Sequence, residues 1–390
     1  MTARSGALRI AFIDHVARLS GAEIGLARLL AATDRIEATV VLAEDGPLAP
    51  ILREAGARVD VLPLAERTRS LTRQEIASAS ARLGASADVM RYVNRLRNHL
   101  RTLRPDVVHT NSLKSGVYGT VAARLARLPS VWYLHDRLSP DYLPREVVPM
   151  MRLMASTLPS ALVVPSRSTL STVGRHRRPG LRTAVIPMPV PMPARKAEIR
   201  QQVRNVGMVG RLTSWKGQHI FLAAFAQAFP DPPVRARLIG SAVFGETSYE
   251  RELREQAAGL GIADRVDFIG FTGDVFGELE ELDILVHASV LPDTLAISVL
   301  EGLGAGVPVV CADAGAVAEY VVDGDNGLLH KPGDVSGLAA GLKRLAGDVG
   351  LRRKLAEAGR NTARDFAADA VVGKMVELYA RLARANRATR

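Results

Sequence analysis

Two stretches decide how this chain is read: Gly210-Arg211-Leu212-Thr213-Ser214-Trp215-Lys216-Gly217 and, about eighty residues on, Asp293-Thr294-Leu295-Ala296-Ile297-Ser298-Val299-Leu300-Glu301-Gly302. Each reads as a strand end, a loop and a helix start, with charge placed at the turn. The first supplies two cations and the second two carboxylates. Gly306-Val307-Pro308-Val309-Val310 then opens the next apolar run. Strand, loop, helix and strand again is the repeating unit of a parallel α/β sheet, which binds ligands beyond the carboxyl ends of its strands.

The same rhythm extends outward over the chain. Short, uniformly apolar runs at Leu8–Ile13, Thr39–Ala43, Val59–Leu62, Val107–Thr110, Val131–Leu134, Ala161–Val164 and Ala184–Ile186 read as buried parallel strands. Helical patterns separate them, among them Ala22–Ala32, Asp88–Leu103 and Ser115–Leu128. Ile186-Pro187-Met188-Pro189-Val190-Pro191-Met192-Pro193 interrupts the rhythm, because alternating prolines continue neither a helix nor a central strand. The segment reads as a stiff interdomain linker. Strand runs resume at Val203–Val209, Val234–Ile239, Val266–Ile269, Ile284–His287 and Val307–Cys311. Beyond Gly333 the pattern is helical over Asp334–Leu345, Leu351–Phe366 and Ala370–Arg387. The expectation is an α/β protein with domains at 1–190 and 191–369 and a final helix at 370–390.

With 390 residues, two cores are the natural expectation. Cys311 is the only cysteine, so no internal disulfide forms and a cytoplasmic setting fits. Leu8–Ile13 is too short for a signal-peptide core, and no apolar run approaches the roughly 20 residues that span a bilayer. The formal charge is +11, with basic clusters at Arg67–Arg73, Arg91–Arg104 and Arg175–Arg182. Such a surface suits an anionic membrane face or a phosphorylated acceptor; a solvated surface of biased composition explains it equally. No zinc-finger spacing, helix-turn-helix signature or aromatic-basic platform is present, so nucleic acid is not an expected partner.

Arg211 and Lys216 on one strand-end loop suit a diphosphate: Arg binds bidentately, and Lys acts as a mobile point charge. Asp293, in the loop, and Glu301, one to two turns into the helix, stand eight apart, just over two helical turns, a spacing that lets both face one cleft. Carboxylates there suit sugar and ribose hydroxyls, and backbone N–H groups near Leu295 and Ala296 suit a phosphate at a helix start. Ser298 with Glu301 also matches a helix capping box, which would turn Glu301 to the backbone. Ser20-Gly21-Ala22-Glu23 has the same ambiguity between a substrate turn and a plain helix cap.

Taken together, these motifs resemble the retaining glycosyltransferases of family 4, most specifically from Val203 to Leu329. The resemblance implies two facing Rossmann-like doubly wound parallel sheets, the GT-B fold, with the last helix crossing back to the first domain on Met375, Leu378, Tyr379 and Leu382. It implies a UDP-, GDP- or other nucleotide diphosphate-sugar as donor and a sugar-containing or lipid-linked acceptor. It gives Arg211 and Lys216 the diphosphate, Asp293 the donor sugar and Glu301 the ribose, with Thr294, Leu295, Ala296 and Gly21 beside the donor. It places His135 near the reacting carbon, so His135, Asp293, Arg211 and Lys216 form the expected catalytic set. Acceptor contacts are expected from Ser20, Asn111, Ser112, Lys114, Asp136 and Ser166. Asp293 stands where the family has Glu, and Met188-Pro189 where it tends to have Asn-Gly; a silent nucleotide-sugar binder is therefore the rival, besides a phosphorylase, epimerase or hydrolase of the same architecture.

Three further signals carry less. Gly302-Leu303-Gly304-Ala305-Gly306 imitates a dinucleotide fingerprint but precedes a strand instead of following one. Asp323-Gly324-Asp325-Asn326-Gly327 reads as a β-turn, not a metal triplet, so no metal is expected. Cys311 reads as a small buried apolar residue.

Overall fold

The computed structural model describes residues 6–66, 79–174, 178–242 and 247–388. The basic run Arg67–Arg73 therefore lies outside the described residues, and Arg175–Arg182 is described only from Arg178 onward. The chain divides into two compact units, Met1–Pro189 with Ala368–Arg390, and Val190–Ala367. The division falls inside the proline-rich segment 186–193, which carries no helix or strand.

The first unit is built on a parallel sheet of β1 (Leu8–Asp14), β2 (Ile36–Leu42), β3 (Arg58–Val61), β4 (Val107–Thr110), β5 (Ser130–Tyr133), β6 (Ala161–Val164) and β7 (Arg182–Val185). Their spatial order is β3-β2-β1-β4-β5-β6-β7. Ile10 of β1 is in register with Ala38 on one side and Val107 on the other. β4, β5 and β6 are buried at every position, which their apolar composition anticipates. β7 is an exposed edge; it starts two residues before the expected run. The order reverses direction between β1 and β4, the place where a doubly wound sheet opens a ligand crevice.

Two helices of this unit start at serine caps, Ser112 and Ser166. α1 (Gly21–Ala31) and α2 (Leu48–Glu54) come first, then α3 (Ala79–Leu103). α3 buries Tyr92, Val93, Leu96 and Leu100 and turns Arg91, Arg95, Arg101 and its neighbour Arg104 outward. α4 (Leu113–Leu125) begins two residues before the expected helix, because the Ser112 side chain accepts from the Ser115 N–H and Ser115 reciprocates. α5 (Val148–Thr157) and α6 (Arg167–Val173) complete the layers; Ser166 caps α6 by accepting from the Thr169 N–H.

The second unit has the strand order β10-β9-β8-β11-β12-β13. Its strands are β8 (Asn205–Val209), β9 (Arg235–Ile239), β10 (Val266–Gly270), β11 (Ile284–His287), β12 (Val309–Ala312) and β13 (Leu328–His330). All pair in parallel, and the order reverses between β8 and β11. β13 was not expected; three residues are too few for a periodic signal. The helices are α7 (Gln218–Ala228), α8 (Thr247–Gly259), α9 (Val275–Glu280), α10 (Ile297–Ala305), α11 (Val335–Gly347) and α12 (Val349–Arg364). α7 covers the sheet with Phe221, Leu222 and Phe225, and Asp334 and Asp348 cap α11 and α12. Residues 324–326 form a turn, as read from the sequence, and Cys311 is fully buried.

The last helix, α13 (Ala368–Ala388), belongs to the first unit. Its buried face is Val371, Val372, Met375, Val376, Tyr379, Leu382 and Ala383. Leu378, expected on that face, is only half-buried; the stripe rotates toward Val372 and Val376 instead. The Tyr379 hydroxyl lies 2.7 Å from His109 Nδ1 at the centre of β4, and Arg387 donates to Asp106 at 2.8 Å. These contacts fix the chain's last helix to the sheet that its first strand begins.

Candidate functional site

In the second unit the turning-point strands β8 and β11 bring one expected cation, Lys216, to one expected carboxylate, Asp293. Gly210 leaves β8 at φ 155°, and Gly217 ends the cationic loop at φ 79°. A Cβ on Gly217 would stand 2.0 Å from the Ala288 carbonyl oxygen, so the loop can lie against the end of β11 only with glycine there. Val290 N–H donates to the Trp215 carbonyl at 2.8 Å, and Gln218 Nε2 to the Arg211 carbonyl at 2.8 Å. The two loops are thus hydrogen-bonded to each other through backbone groups.

On this frame Lys216 Nζ reaches Asp293 Oδ2 at 2.6 Å, with both side chains largely buried. His287 Nε2 lies 3.0 Å from the same oxygen and Ser289 Oγ 3.2 Å. Burial opposes the charge on Asp293. The Lys216 ammonium and the hydrogen bond from His287 outweigh it and hold the carboxyl well below the ordinary carboxylate range. Arg211 is half-buried just beyond β8, and Lys216 also sits 4.5 Å from the centre of the Trp215 ring.

α10 starts from an unusual residue. Ala296, its N-cap, is left-handed at φ 54°, a conformation that costs a non-glycine residue about 1–2 kcal/mol. The surroundings enforce it: the Tyr320 hydroxyl donates to the Leu295 carbonyl at 2.8 Å, and Ala316 N–H to the Asp293 carbonyl at 2.9 Å. Gly315, at φ 64°, lies beneath Asp293, where a Cβ would meet its carbonyl oxygen at 2.3 Å. Because Ala296 is the N-cap, Ser298 is not, and the capping-box reading of Glu301 does not hold. Glu301 is buried in the middle of α10; Thr294 is half-buried, while Leu295 and Ala296 are buried.

The first unit gathers its polar residues at the equivalent turning point. Asp14 ends β1, Asn111 and Ser112 follow β4, His135 and Asp136 follow β5, and Ser166 follows β6. Asn111 is the hub. Its Nδ2 donates to Asp14 Oδ2 at 2.9 Å, leaving Oδ1 as the acceptor for His135 Nε2 at 3.1 Å. Since Oδ1 only accepts, His135 carries its hydrogen on Nε2, and among the described residues its buried Nδ1 has no partner. Burial pushes the His135 pKa down to about 4 against the pull of Asp136 and Asp14, so the ring is neutral at pH 7. Tyr133 packs on it, ring centres 4.0 Å apart.

Glu23, read from the sequence as a cap partner of Ser20, is buried, and Ser20 bonds to its carboxylate instead of capping the helix backbone. Burial and the nearby Asp14 charge push the Glu23 carboxyl up to about 8. Asp14 moves the other way: burial raises it, but hydrogen bonds from His15 and Asn111 win. The Ser112 and Ser166 hydroxyls are engaged in capping α4 and α6. Gly21 is exposed at the start of α1, and Lys114 is half-buried in the first turn of α4.

Sequence reasoning missed Asp14, His287, Ser289, Gly315 and Tyr320. Asp14 and His287 carried a signal: each is the one polar residue ending an apolar strand, in Leu-Arg-Ile-Ala-Phe-Ile-Asp and Ile-Leu-Val-His. The others are placed by loop packing, which has no period to read. Among the described residues no cluster of His, Cys, Asp and Glu fit to hold a metal is present.

Residues 194–362 match the family described as glycosyl transferases group 1, and residues 21–189 match the glycosyl transferase 4-like domain, so the two matches together take in most of the chain. The crystal structure of HepE from Anabaena in complex with UDP-glucose is similar at 27% identity and a TM-score of 0.82, covering 96% of this chain and 100% of that one. An exopolysaccharide phosphotransferase of Streptomyces coelicolor is 28% identical over 291 residues, 74% of this chain and 30% of that protein. The lipopolysaccharide core biosynthesis glycosyltransferase LpsE of Rhizobium meliloti is 32% identical over 174 residues, 44% of this chain and 48% of that protein. The chain thus spans about a third to a half of the length of these curated relatives. With two parallel Rossmann-like sheets, matches in both halves and a structural neighbour over its whole length, the chain belongs to the family 4 glycosyltransferases of the GT-B fold.

Proposed function

We propose that the protein transfers a sugar from a nucleotide diphosphate-sugar to a carbohydrate acceptor with retention of the anomeric configuration. The single observation that carries this is the meeting of Lys216 and Asp293 at the β8–β11 turning point, 2.6 Å apart, in a chain similar to one solved with UDP-glucose. In this reading Arg211, Lys216 and the N-terminus of α10 take the diphosphate, whose charge grows as the glycosidic bond breaks. Asp293 takes the sugar and Glu301 the ribose, with Thr294, Leu295, Ala296 and Gly21 beside the donor. His135 accepts a hydroxyl hydrogen at its bare Nδ1, and Ser20, Asn111, Ser112, Lys114, Asp136 and Ser166 flank the acceptor. The acceptor attacks from the face the phosphate leaves, and no metal is required.

Relatives named for exopolysaccharide and lipopolysaccharide make a glycan, free or lipid-linked, the acceptor class we favour. Among the described residues no helix is long and apolar enough to cross a membrane. The outward arginines of α3 suit peripheral contact with anionic lipid at the inner membrane face.

Thermal shift with UDP, GDP, ADP, dTDP and their sugar conjugates, with and without magnesium, tests the donor reading. A ligand that binds only the folded state stabilises it by about 2.7 kcal/mol at a hundredfold excess over its Kd. One base should stand out regardless of metal, and Arg211→Ala should abolish turnover. No shift with any member of the panel overturns the reading, and a product of inverted configuration by NMR overturns retention.

A further inference from the structure

Asp293 is held at both ends. Its backbone carbonyl accepts from Ala316 N–H, and Gly315 packs directly beneath it. Among the described residues the hydrogen bonds of its side chain all fall on one oxygen: Oδ2 meets Lys216 Nζ, His287 Nε2 and Ser289 Oγ. His287 Nε2 and Ser289 Oγ also lie 3.0 Å from each other. Both residues are buried, at 3% and 0% exposure. Asp293 is ionised and can only accept, so His287 must carry its hydrogen on Nε2. Among the described residues the other ring nitrogen, Nδ1, is buried with no partner, so the hydrogen bonds of the His287 ring are all directed at this carboxylate and Ser289.

Three donors on Oδ2 leave Oδ1 as the acceptor with open capacity, and they fix the plane in which it points. A carboxylate free to rotate adapts to hydroxyls of either configuration. One anchored by three donors and a clamped backbone offers a lone pair in one direction only.

We propose that His287 and Ser289 are positioning residues that seat Asp293, make Oδ1 a one-directional acceptor for a donor-sugar hydroxyl, and so set which sugar epimer the site takes. This deepens the donor reading above and rests on it. The cation is part of the seat but is shared with the diphosphate in that reading. His287 and Ser289 are not, so they hold the carboxylate in place whether or not Lys216 turns toward phosphate.

The test separates the sugar from the nucleotide. Affinities of the full chain for UDP, UDP-glucose and UDP-galactose are measured by titration calorimetry. His287→Ala should leave UDP binding within about twofold, weaken the preferred UDP-sugar about tenfold, and shrink the preference between the two epimers. His287→Gln, which keeps a donor, should recover part of that loss. Ser289→Ala removes less volume and should act in the same direction; it carries the test alone where His287→Ala does not fold. Parallel loss of UDP and UDP-sugar affinity, or an epimer preference that survives both alanine variants, overturns the proposal. Where the thermal-shift panel selects another base, its nucleotide and epimeric nucleotide-sugars replace the uridine series; failure of the wild-type protein to bind any nucleotide diphosphate-sugar overturns the donor reading itself, and with it this refinement.

Discussion

Neutralising the Lys216–Asp293 pair should reveal a strong coupling that a surface ion pair lacks. The perturbation is a double-mutant cycle of Lys216→Met, Asp293→Asn and the double variant. The Lys216 side chain is 15% exposed and that of Asp293 11%, so solvent screens the 2.6 Å contact little. A charged hydrogen bond of this kind is worth about 1.5–3 kcal/mol, whereas exposed pairs give about 0.2–1. Lys216→Met leaves Asp293 with His287 and Ser289, so the cost stays below the roughly 3–5 kcal/mol of an orphaned buried charge. We expect a coupling energy of about 2 kcal/mol. The assay is urea unfolding followed by Trp215 fluorescence in a Trp132→Phe background, since the chain's two tryptophans lie in different units. Loss of the Lys216 contact with the Trp215 ring changes the signal amplitude but cancels around the cycle. Asp293 is held below its ordinary value of 3.8, so the pair's contribution is complete above that pH and is lost as pH falls below it. The coupling should therefore be the same at pH 5 and pH 8. A coupling below about 0.5 kcal/mol, or one that fades between pH 8 and pH 5, would refute the reasoning.

Three other outcomes follow from the same structure. Ala296→Gly relieves a left-handed alanine and should stabilise the second unit by about 1 kcal/mol, a rise in Tm of about 2–4 °C; a fall would mean the residue is not strained. Glu23→Gln mimics the protonated acid: the native Glu23 value of about 8 lies above the unfolded one of 4.5, so its stabilisation is complete below pH 4.5 and lost as pH rises through 8. The variant should thus gain on the wild type by about 4 kcal/mol between pH 5 and pH 8.5, and equal stability profiles would contradict it. Tyr379→Phe leaves His109 Nδ1 buried without the hydroxyl and should cost about 1–3 kcal/mol, read by urea unfolding followed at Trp132; no change would show that this hydrogen bond does not help to hold the final helix.

Most of the strands and the helices between them were legible because apolar periodicity is a property of single segments. Val107–Thr110, Ala161–Val164 and Ile284–His287 appear in the structure with the bounds read from the sequence. β13 escaped because its burial is set by its neighbour β12, and Leu378 misled because spacing alone does not fix how a helix rotates on a sheet. The charged residues of the second unit were readable from their strand-end positions. Their mutual geometry was not: that Asp293 bonds Lys216, 77 residues away, depends on a glycine at 217 that admits the Ala288 carbonyl. Local pattern also failed at Ser298 and Glu301, where tertiary contacts from Tyr320 move the helix start back to Ala296 and override the capping signature.

The two turning points are chemically unlike, and two carboxyls report the difference. In the first unit Asp14 already holds the negative charge that His15 and Asn111 can support, and the second carboxyl, Glu23, is pushed up to about 8 beside it. That site resists one more negative charge, and a diphosphate would bring several. In the second unit Asp293 is as deeply placed, yet its carboxyl is driven down, because the cationic loop after β8 overcomes the penalty of burial. Each unit thus supports one buried carboxylate at its turning point, but only in the first does a second buried carboxyl, Glu23 in the first turn of α1, report a field that resists further negative charge. This difference in field supports the proposed placing of the donor diphosphate in the second unit. It also defines what Lys216 has to do. An ammonium has three N–H donors, and the contact with Asp293 takes one. In the proposed function the remaining donors would let a single cation bridge the sugar-side carboxylate and the leaving phosphate, so that charge growing on the diphosphate would be felt by the same residue that helps to hold the sugar in place.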